Sequence, residues 1–138
     1  MRPAQQERMK ENIAAIEEVM KAVEAEEERI RNVGIPVDLV HKRGEMTVWK
    51  RIEYLVDPGT FRPLHTIYDP ESEESGSTGV VDGLARISGK WCVLIGFNNK
   101  WIAGAWIAGQ ADNNLRVTDI AKIMNLPLVW LVNCSGVK

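Results

Sequence analysis

The sequence predicts an α/β chain in which a long N-terminal helix leads into a body ordered β-β-α-β. Three patterns carry that expectation. Apolar residues recur four and three apart along residues 4–32 on an otherwise charged segment. From Gly79 the texture changes to short apolar runs separated by tight-turn residues. Near the C-terminus, a helical segment is followed by the apolar run Leu126-Pro127-Leu128-Val129-Trp130-Leu131-Val132. Strand, helix, buried strand is the order of a crossover unit.

The leader helix spans about residues 4–32. Met9, Ile13, Ile16, Met20, Val23 and Ile30 make an a/d-type stripe on a Glu/Lys/Arg-rich rod. So narrow a stripe cannot bury itself, and it is expected to dock on a partner subunit or on the rest of the chain. The run Glu24-Ala25-Glu26-Glu27-Glu28-Arg29 reads as a solvated face. Gly34 followed by Pro36 ends the helix in the expected order. A shorter helix starts near Thr47, a plausible N-cap, with Trp49, Ile52, Tyr54, Leu55 and Val56 as its apolar face. Asp57-Pro58-Gly59-Thr60 is a turn. Phe61 to Tyr68 reads as extended or irregular, and 69–77 as an acidic surface loop.

Val80 to Ile87 forms a strand, Ser88-Gly89 a hairpin turn, and Trp91 to Phe97 a second strand. Asn98-Asn99-Lys100 would turn the chain into a third strand over Trp101 to Ile107, giving a meander of two hairpins. Asp112-Asn113-Asn114 can cap a helix to about Met124, with Leu115, Ile120, Ile123 and Met124 as its apolar residues. The strand from Pro127 follows. No internal repeat is visible.

Composition narrows the function. The chain has 138 residues, 45% hydrophobic and 26% charged, with a formal net charge of -2. Nothing basic enough for a nucleic-acid partner is present. No stretch approaches the ~20 apolar residues of a membrane span. The charged N-terminus lacks a signal core. Cys92 and Cys134 both lie in apolar runs, and the pair is expected to be buried, reduced and cytosolic. With no CxxC, no HExxH and isolated His41 and His65, no protein-built metal site is expected. The two glycines of Gly104-Ala105-Trp106-Ile107-Ala108-Gly109 lack a following Lys-Ser/Thr, so this is no P-loop. Small residues there let a second backbone or a ligand approach closely. The five tryptophans read as core.

The last six residues, Asn133-Cys134-Ser135-Gly136-Val137-Lys138, carry the chemistry. A Ser-Gly turn at the end of a strand is either an ordinary strand-to-loop connection or the wall of an oxyanion hole, where backbone N–H groups stabilise a developing negative charge. Ser135 lacks the first glycine of a nucleophile elbow, since Asn133 stands there. Cys134 has no histidine nearby in sequence and reads as structural. Arg116 either meets a phosphate or pairs with an acid such as Asp119. A strand tip at the chain's end leads us to expect the front part of a larger enzyme.

Several motifs carry a family resemblance. They are Arg51-Ile52-Glu53-Tyr54-Leu55-Val56-Asp57-Pro58-Gly59-Thr60-Phe61, the Asp82-Gly83 and Ser88-Gly89-Lys90 of the stretch from Val80, and Ala103-Gly104-Ala105-Trp106. Gly109-Gln110-Ala111, Pro127-Leu128-Val129 and Cys134-Ser135-Gly136-Val137-Lys138 complete the set. From about Lys42 onward the chain resembles the start of the carboxyltransferase (alpha) subunits of biotin-dependent acyl-CoA decarboxylases and carboxylases, of the glutaconyl-CoA decarboxylase type.

The resemblance implies an incomplete crotonase-like fold, a spiral of β-β-α units. Residues 1–56 would be a helical leader and 57–138 the first part of the acyl-CoA-binding domain, truncated at Lys138. It implies transfer of a carboxyl group between an acyl-CoA and biotin, the biotin being carried on a separate subunit or domain. The thioester enolate would be held by backbone N–H groups and no metal, one of them the Val137 amide in the turn Ser135-Gly136-Val137. Trp106 and Arg116 are the candidate substrate-binding residues.

It also implies a biotin carrier protein and further copies of a full-length subunit as partners. For the decarboxylase branch it adds a membrane-bound sodium-pump complex, with the subunit cytoplasmic and peripheral at the inner face of the membrane. The family's second oxyanion donor and its biotin half would lie beyond Lys138. The chain alone is therefore expected to be inactive and, with unpaired strand edges, to self-associate. Two other readings stand beside this one. A crotonase-like hydratase or thioesterase would need paired carboxylates in its pocket and would lack the leader and the Asp57-Pro58-Gly59-Thr60-Phe61 segment. A truncated, non-catalytic assembly module would need Lys138 to be a natural end.

Overall fold

The computed structural model describes residues 3–68, 77 and 79–137. Two compact units make up the chain, Met1–Asn32 and Val33–Lys138. The first is a helix, α1 (Pro3–Asn32), as the heptad-like spacing predicts. Met9, Ile13, Ile16, Met20 and Val23 are exposed along it. Arg29 pairs with Glu26 one turn back and holds that carboxyl below its ordinary range.

The second unit contains the short α2 (Val37–Lys42), α3 (Val48–Leu55), β1 (Arg62–Leu64), β2 (Val80–Ile87), β3 (Lys90–Phe97), α4 (Gln110–Ile123) and β4 (Leu128–Leu131). The strands form one mixed sheet in the order β1-β2-β3-β4. The first three pair antiparallel, and β4 runs parallel to β3 with Val93 opposite Leu128. The sheet is covered on both faces. On one, Val80, Val93, Ile95 and Phe97 pack with Val117 and Ala121 of α4. On the other, Val81 and Leu94 pack with Val48 and Ile52 of α3. Alternation along β2 and β3 sends successive side chains to opposite faces, so two layers share one sheet.

Local chemistry explains most of these elements. Thr47 caps α3, its hydroxyl oxygen accepting from Lys50 N at 3.3 Å. The β2–β3 turn has positive φ at both Ser88 (49°) and Gly89 (80°), the signature of a tight primed turn. The Asp57 carboxylate accepts from both turn amides, Ser88 N at 3.0 Å and Gly89 N at 2.8 Å. Asp57 N donates to Arg86 O, and Thr60 Oγ1 accepts from Arg86 N. The Asp57-Pro58-Gly59-Thr60 motif is thus a clamp on the hairpin.

The structure corrects several expectations. Trp101 to Ile107 is not a third strand. Ile102, Ala103 and Gly104 all have positive φ and curl into a single tight turn, and β3 takes β4 as its second neighbour instead. The segment α2 was not legible as a helix. On α3, Ile52 is buried and Trp49, Leu55 and Val56 pack beside it as expected, but Val48 also faces inward and Tyr54 is 72% exposed. Helix α4 starts earlier than Asp112, capped by the left-handed Gly109. Its inward face is Gln110, Asn113, Asn114, Val117 and Ala121, whereas Leu115, Ile123 and Met124 are exposed. Asn113 turns inward because it meets a buried carboxylate on β2, described below, while Val117 and Ala121 join the apolar core. Strand β4 is only half-buried, being at the sheet edge. Cys92 is buried but Cys134 is exposed. Trp91 and Trp130 are 46% and 41% exposed and so stand partly outside the core. The acidic loop expected at 69–77 lies, apart from Ser77, outside the described residues.

Candidate functional site

The C-terminal turn is held by the segment that links β3 to α4. Gly104 lies so close to Asn133 that a Cβ there would fall on the Asn133 carbonyl oxygen. Only a glycine permits that approach, and at φ +70° it adopts a conformation that L side chains disfavour. Ser135 Oγ donates to Ile102 O at 3.4 Å. Trp106 N donates to Gly136 O at 2.7 Å, making an isolated parallel bridge between Trp106 and Val137. From the other side, one oxygen of Glu45 accepts from Asn99 and from Asn133, and these bonds hold its carboxyl below the ordinary range.

That bridge fixes the direction of the next amide. In a trans peptide, C=O and N–H point opposite ways. Since the Gly136 carbonyl faces Trp106, the Val137 N–H faces away from it. Among the described residues the Val137 N–H has no acceptor, and Val137 is 84% exposed. Gly136, at φ +124°, supplies the backbone bend that sets this peptide. Cys134 Sγ accepts from Gly136 N at 3.4 Å, closing the turn from within. An exposed donor on a turn tied down at Gly104, Ser135 and Gly136 is what a preformed oxyanion contact requires.

Three of the sequence-derived candidates, Ser135, Gly136 and Val137, are therefore together, with Trp106 beside them. The Trp106 ring packs on Phe97 at 6.0 Å between centroids, and Phe97 also meets Trp130 at 6.1 Å. Arg116 is exposed on α4 and takes no part in the bonds that build the turn; no ion pair to Asp119 forms.

One polar cluster was missed. Asp82 is 1% exposed and occupies an inward position of β2 between Val80 and Leu84. His65 Nδ1 lies 3.1 Å from its Oδ1, and Asn113 Nδ2 donates to its Oδ2 at 2.6 Å. Burial pushes the Asp82 carboxyl up, while the bonds to Asn113 and His65 pull it down. The legible signal was an acid breaking the apolar alternation of a strand.

A model of the carboxyl transferase domain matches residues 39–138. The chain is 46% identical over 134 residues to the alpha subunit of glutaconyl-CoA decarboxylase of Acidaminococcus fermentans, covering 94% of this chain and 23% of that one. It is 31% identical over 98 residues to the methylcrotonoyl-CoA carboxylase beta chain of Dictyostelium discoideum, covering 68% and 17%. Among solved structures it resembles the beta subunit of P. aeruginosa geranyl-CoA carboxylase (TM-score 0.66, 25% identity, 96% of this chain and 24% of that one). It also resembles transcarboxylase 12S (TM-score 0.74, 18% identity, 86% and 25%). The expected crotonase-like fold is borne out by these neighbours. The chain spans about a quarter or less of the length of these relatives.

Proposed function

Because the chain belongs to the carboxyl transferase domain family, we propose that it supplies the acyl-CoA side of a biotin-dependent decarboxylase or carboxyltransferase of the glutaconyl-CoA decarboxylase type. Residues 1–56 act as a helical leader, and 57–138 as the first part of the acyl-CoA-binding domain. In the reaction, the bond between the substrate carbon and its carboxyl group breaks. The electron pair stays on the thioester as its enolate; the carboxyl group would be taken up by a ureido nitrogen of carrier-borne biotin, and the proton that nitrogen gives up would neutralise the enolate at carbon.

The observation that carries this reading is the Val137 amide, held outward by the Trp106–Gly136 hydrogen bond. It donates to the enolate oxygen. One such donor is worth about 3 kcal/mol of transition-state stabilisation. Ser135 is tied to Ile102 and braces the turn. Gly136 bends it. Trp106 fixes its carbonyl and borders the thioester, and the exposed Arg116 offers a cation to a CoA phosphate.

Among the described residues, the unpartnered Gln110 Nε2 and Asn114 side-chain amide are enclosed by the fold and closed to a ureido ring. We therefore assign biotin to a carrier on another subunit or domain, which accepts the carboxyl group there. The second oxyanion donor likewise comes from residues outside this chain, so the chain by itself does not turn over. Further copies of the full subunit and a membrane-bound sodium-pump complex complete the proposed assembly. Transcarboxylase 12S, a hexamer crystallised with methylmalonyl-CoA, supports the oligomer and the thioester class. Among the described residues no helix is long and apolar enough to cross a membrane. A cytoplasmic location, peripheral at the membrane through partners, fits that.

Titration of the isotope-labelled chain with glutaryl-CoA, which cannot decarboxylate at the activated position, tests the site. Val137→Ala keeps the amide and should bind like the wild type. Val137→Pro removes the N–H and should bind about tenfold more weakly, the worth of one hydrogen bond. Equal binding by both variants, or no binding by the wild type, refutes the assignment.

A further inference from the structure

We propose that Asp82 is a positioning residue for the Val137 amide, acting through Asn113 and the start of α4, with His65 as its ionisable partner. This rests on the oxyanion reading of Val137. It concerns residues that lie away from the turn and that no family motif singled out for chemistry.

A buried ionic group is commonly replaceable by apolar residues without loss of stability. Asp82 sits among apolar neighbours: Val80 and Leu84 flank it on β2, and Ile95 and Leu64 lie opposite it on β3 and β1. Stability alone would favour an aliphatic residue there. What Asp82 adds is direction, because each of its oxygens is committed to a different element. Oδ1 meets His65, just past β1, and Oδ2 accepts from Asn113 on α4. Among the described residues His65 is the one ionisable group acting on it, and Asn113, its other partner, is uncharged.

The route from Asn113 to the turn is short and made of hydrogen bonds. Asn113 N donates to Gly109 O at 3.1 Å. Gln110, fully buried, closes the loop before α4 twice, its N donating to Ile107 O and its Oε1 accepting from Ile107 N. Trp106, the next residue back, holds the Gly136 carbonyl and so aims the Val137 N–H. A shift of the first turn of α4 therefore moves the support of the donor. A contiguous network of this kind is a basis for coupling, and coupling is established only by perturbing it.

The test compares amide spectra of the isotope-labelled chain and its variants at one pH. The amides of Trp106, Gly136 and Val137 are followed together. In His65→Gln, whose side-chain amide can still donate to Asp82, the three amides should keep their positions, and His41→Gln should change nothing. In His65→Ala and in Asn113→Ala the three amides should shift, and in Asn113→Ala exchange of the Trp106 N–H should rise about tenfold. Asp82→Asn is the direct variant and should shift the same amides. Should it fail to fold, the His65 and Asn113 variants decide alone. Amides that stay still in both His65→Ala and Asn113→Ala, or that move as far in His65→Gln as in His65→Ala, overturn the proposal. No acyl-CoA is present, so these outcomes leave the Val137 reading intact, just as a failed thioester titration leaves them intact.

Discussion

Replacing Gly104 by alanine, with Gly44 as control, measures how much the close approach to Asn133 matters. Both glycines have nearly the same left-handed φ, +70° and +74°. A Cβ at Gly44 would meet nothing within 4 Å, whereas at Gly104 it would fall on the Asn133 carbonyl. Alanine pays about 1–2 kcal/mol for the left-handed conformation at either site. Gly104→Ala adds overpacking of about 1–3 kcal/mol. The gain from a stiffer unfolded chain is the same for both and cancels in the comparison. Gly104→Ala should therefore lose about 2–5 kcal/mol in total, against ~1–2 kcal/mol for Gly44→Ala. Urea unfolding read by tryptophan fluorescence separates these values, and each 1 kcal/mol should lower Tm by about 3–5 °C. The amide spectrum should also show loss of the Trp106–Gly136 bond in Gly104→Ala alone. If the two variants unfold within about 0.5 kcal/mol of each other, the scatter expected of a surface change, the approach of Gly104 to Asn133 does not brace the turn.

Thr47→Ala should destabilise the chain by about 1 kcal/mol through loss of the α3 cap, measured by the same unfolding curve. Asp82 gives stability a pH slope of known sign. Burial raises its carboxyl in the fold, so the native state keeps the proton to higher pH than the unfolded chain. That contribution is full below the ordinary carboxylate range and is lost as pH rises through the folded value. Asp82→Asn should flatten the urea midpoint across this window, and an unchanged slope would refute the assignment. Cys134 should react with a thiol reagent in the folded chain, and Cys92 only on unfolding, since burial both hides it and raises its thiol. Mass spectrometry of the singly labelled product checks the order.

The fold was legible wherever local chemistry decides it. The stripe of α1, the Thr47 cap, the Ser88-Gly89 turn and the strand before it were all written in spacing and turn residues. The third strand failed for a physical reason. Trp101 to Ile107 is apolar enough for a strand, but consecutive positive φ angles at Ile102, Ala103 and Gly104 are a property of tertiary approach, which hydropathy does not encode. The face of α4 failed because Asn113 turns inward to a carboxylate on a strand far away in sequence. The Ser135-Gly136 turn was read from a strand followed by small residues, whereas Val137 as its donor came from the family resemblance. The outward aim of the Val137 amide came only with the Trp106 bond. His65 and Asp82 were invisible as a pair because nothing in either segment announces the other.

The connection between β3 and β4 also sets the order of assembly. The β2–β3 hairpin closes through a two-residue turn, but Val93 finds Leu128 only after the whole intervening stretch, α4 included, has been gathered in. The entropy of closing so long a loop is met late, after the local contacts are in place. The turn that bears Val137 hangs from this last-made pairing and from the contacts at Trp106, Ile102, Gly104 and Glu45 that form only once it is in place. It should be the first part of the body to open under mild denaturant and the last to regain protection during refolding. A newly made chain would then hold a formed hairpin, with α3 clamped to it, for some time before it possesses a competent anion contact.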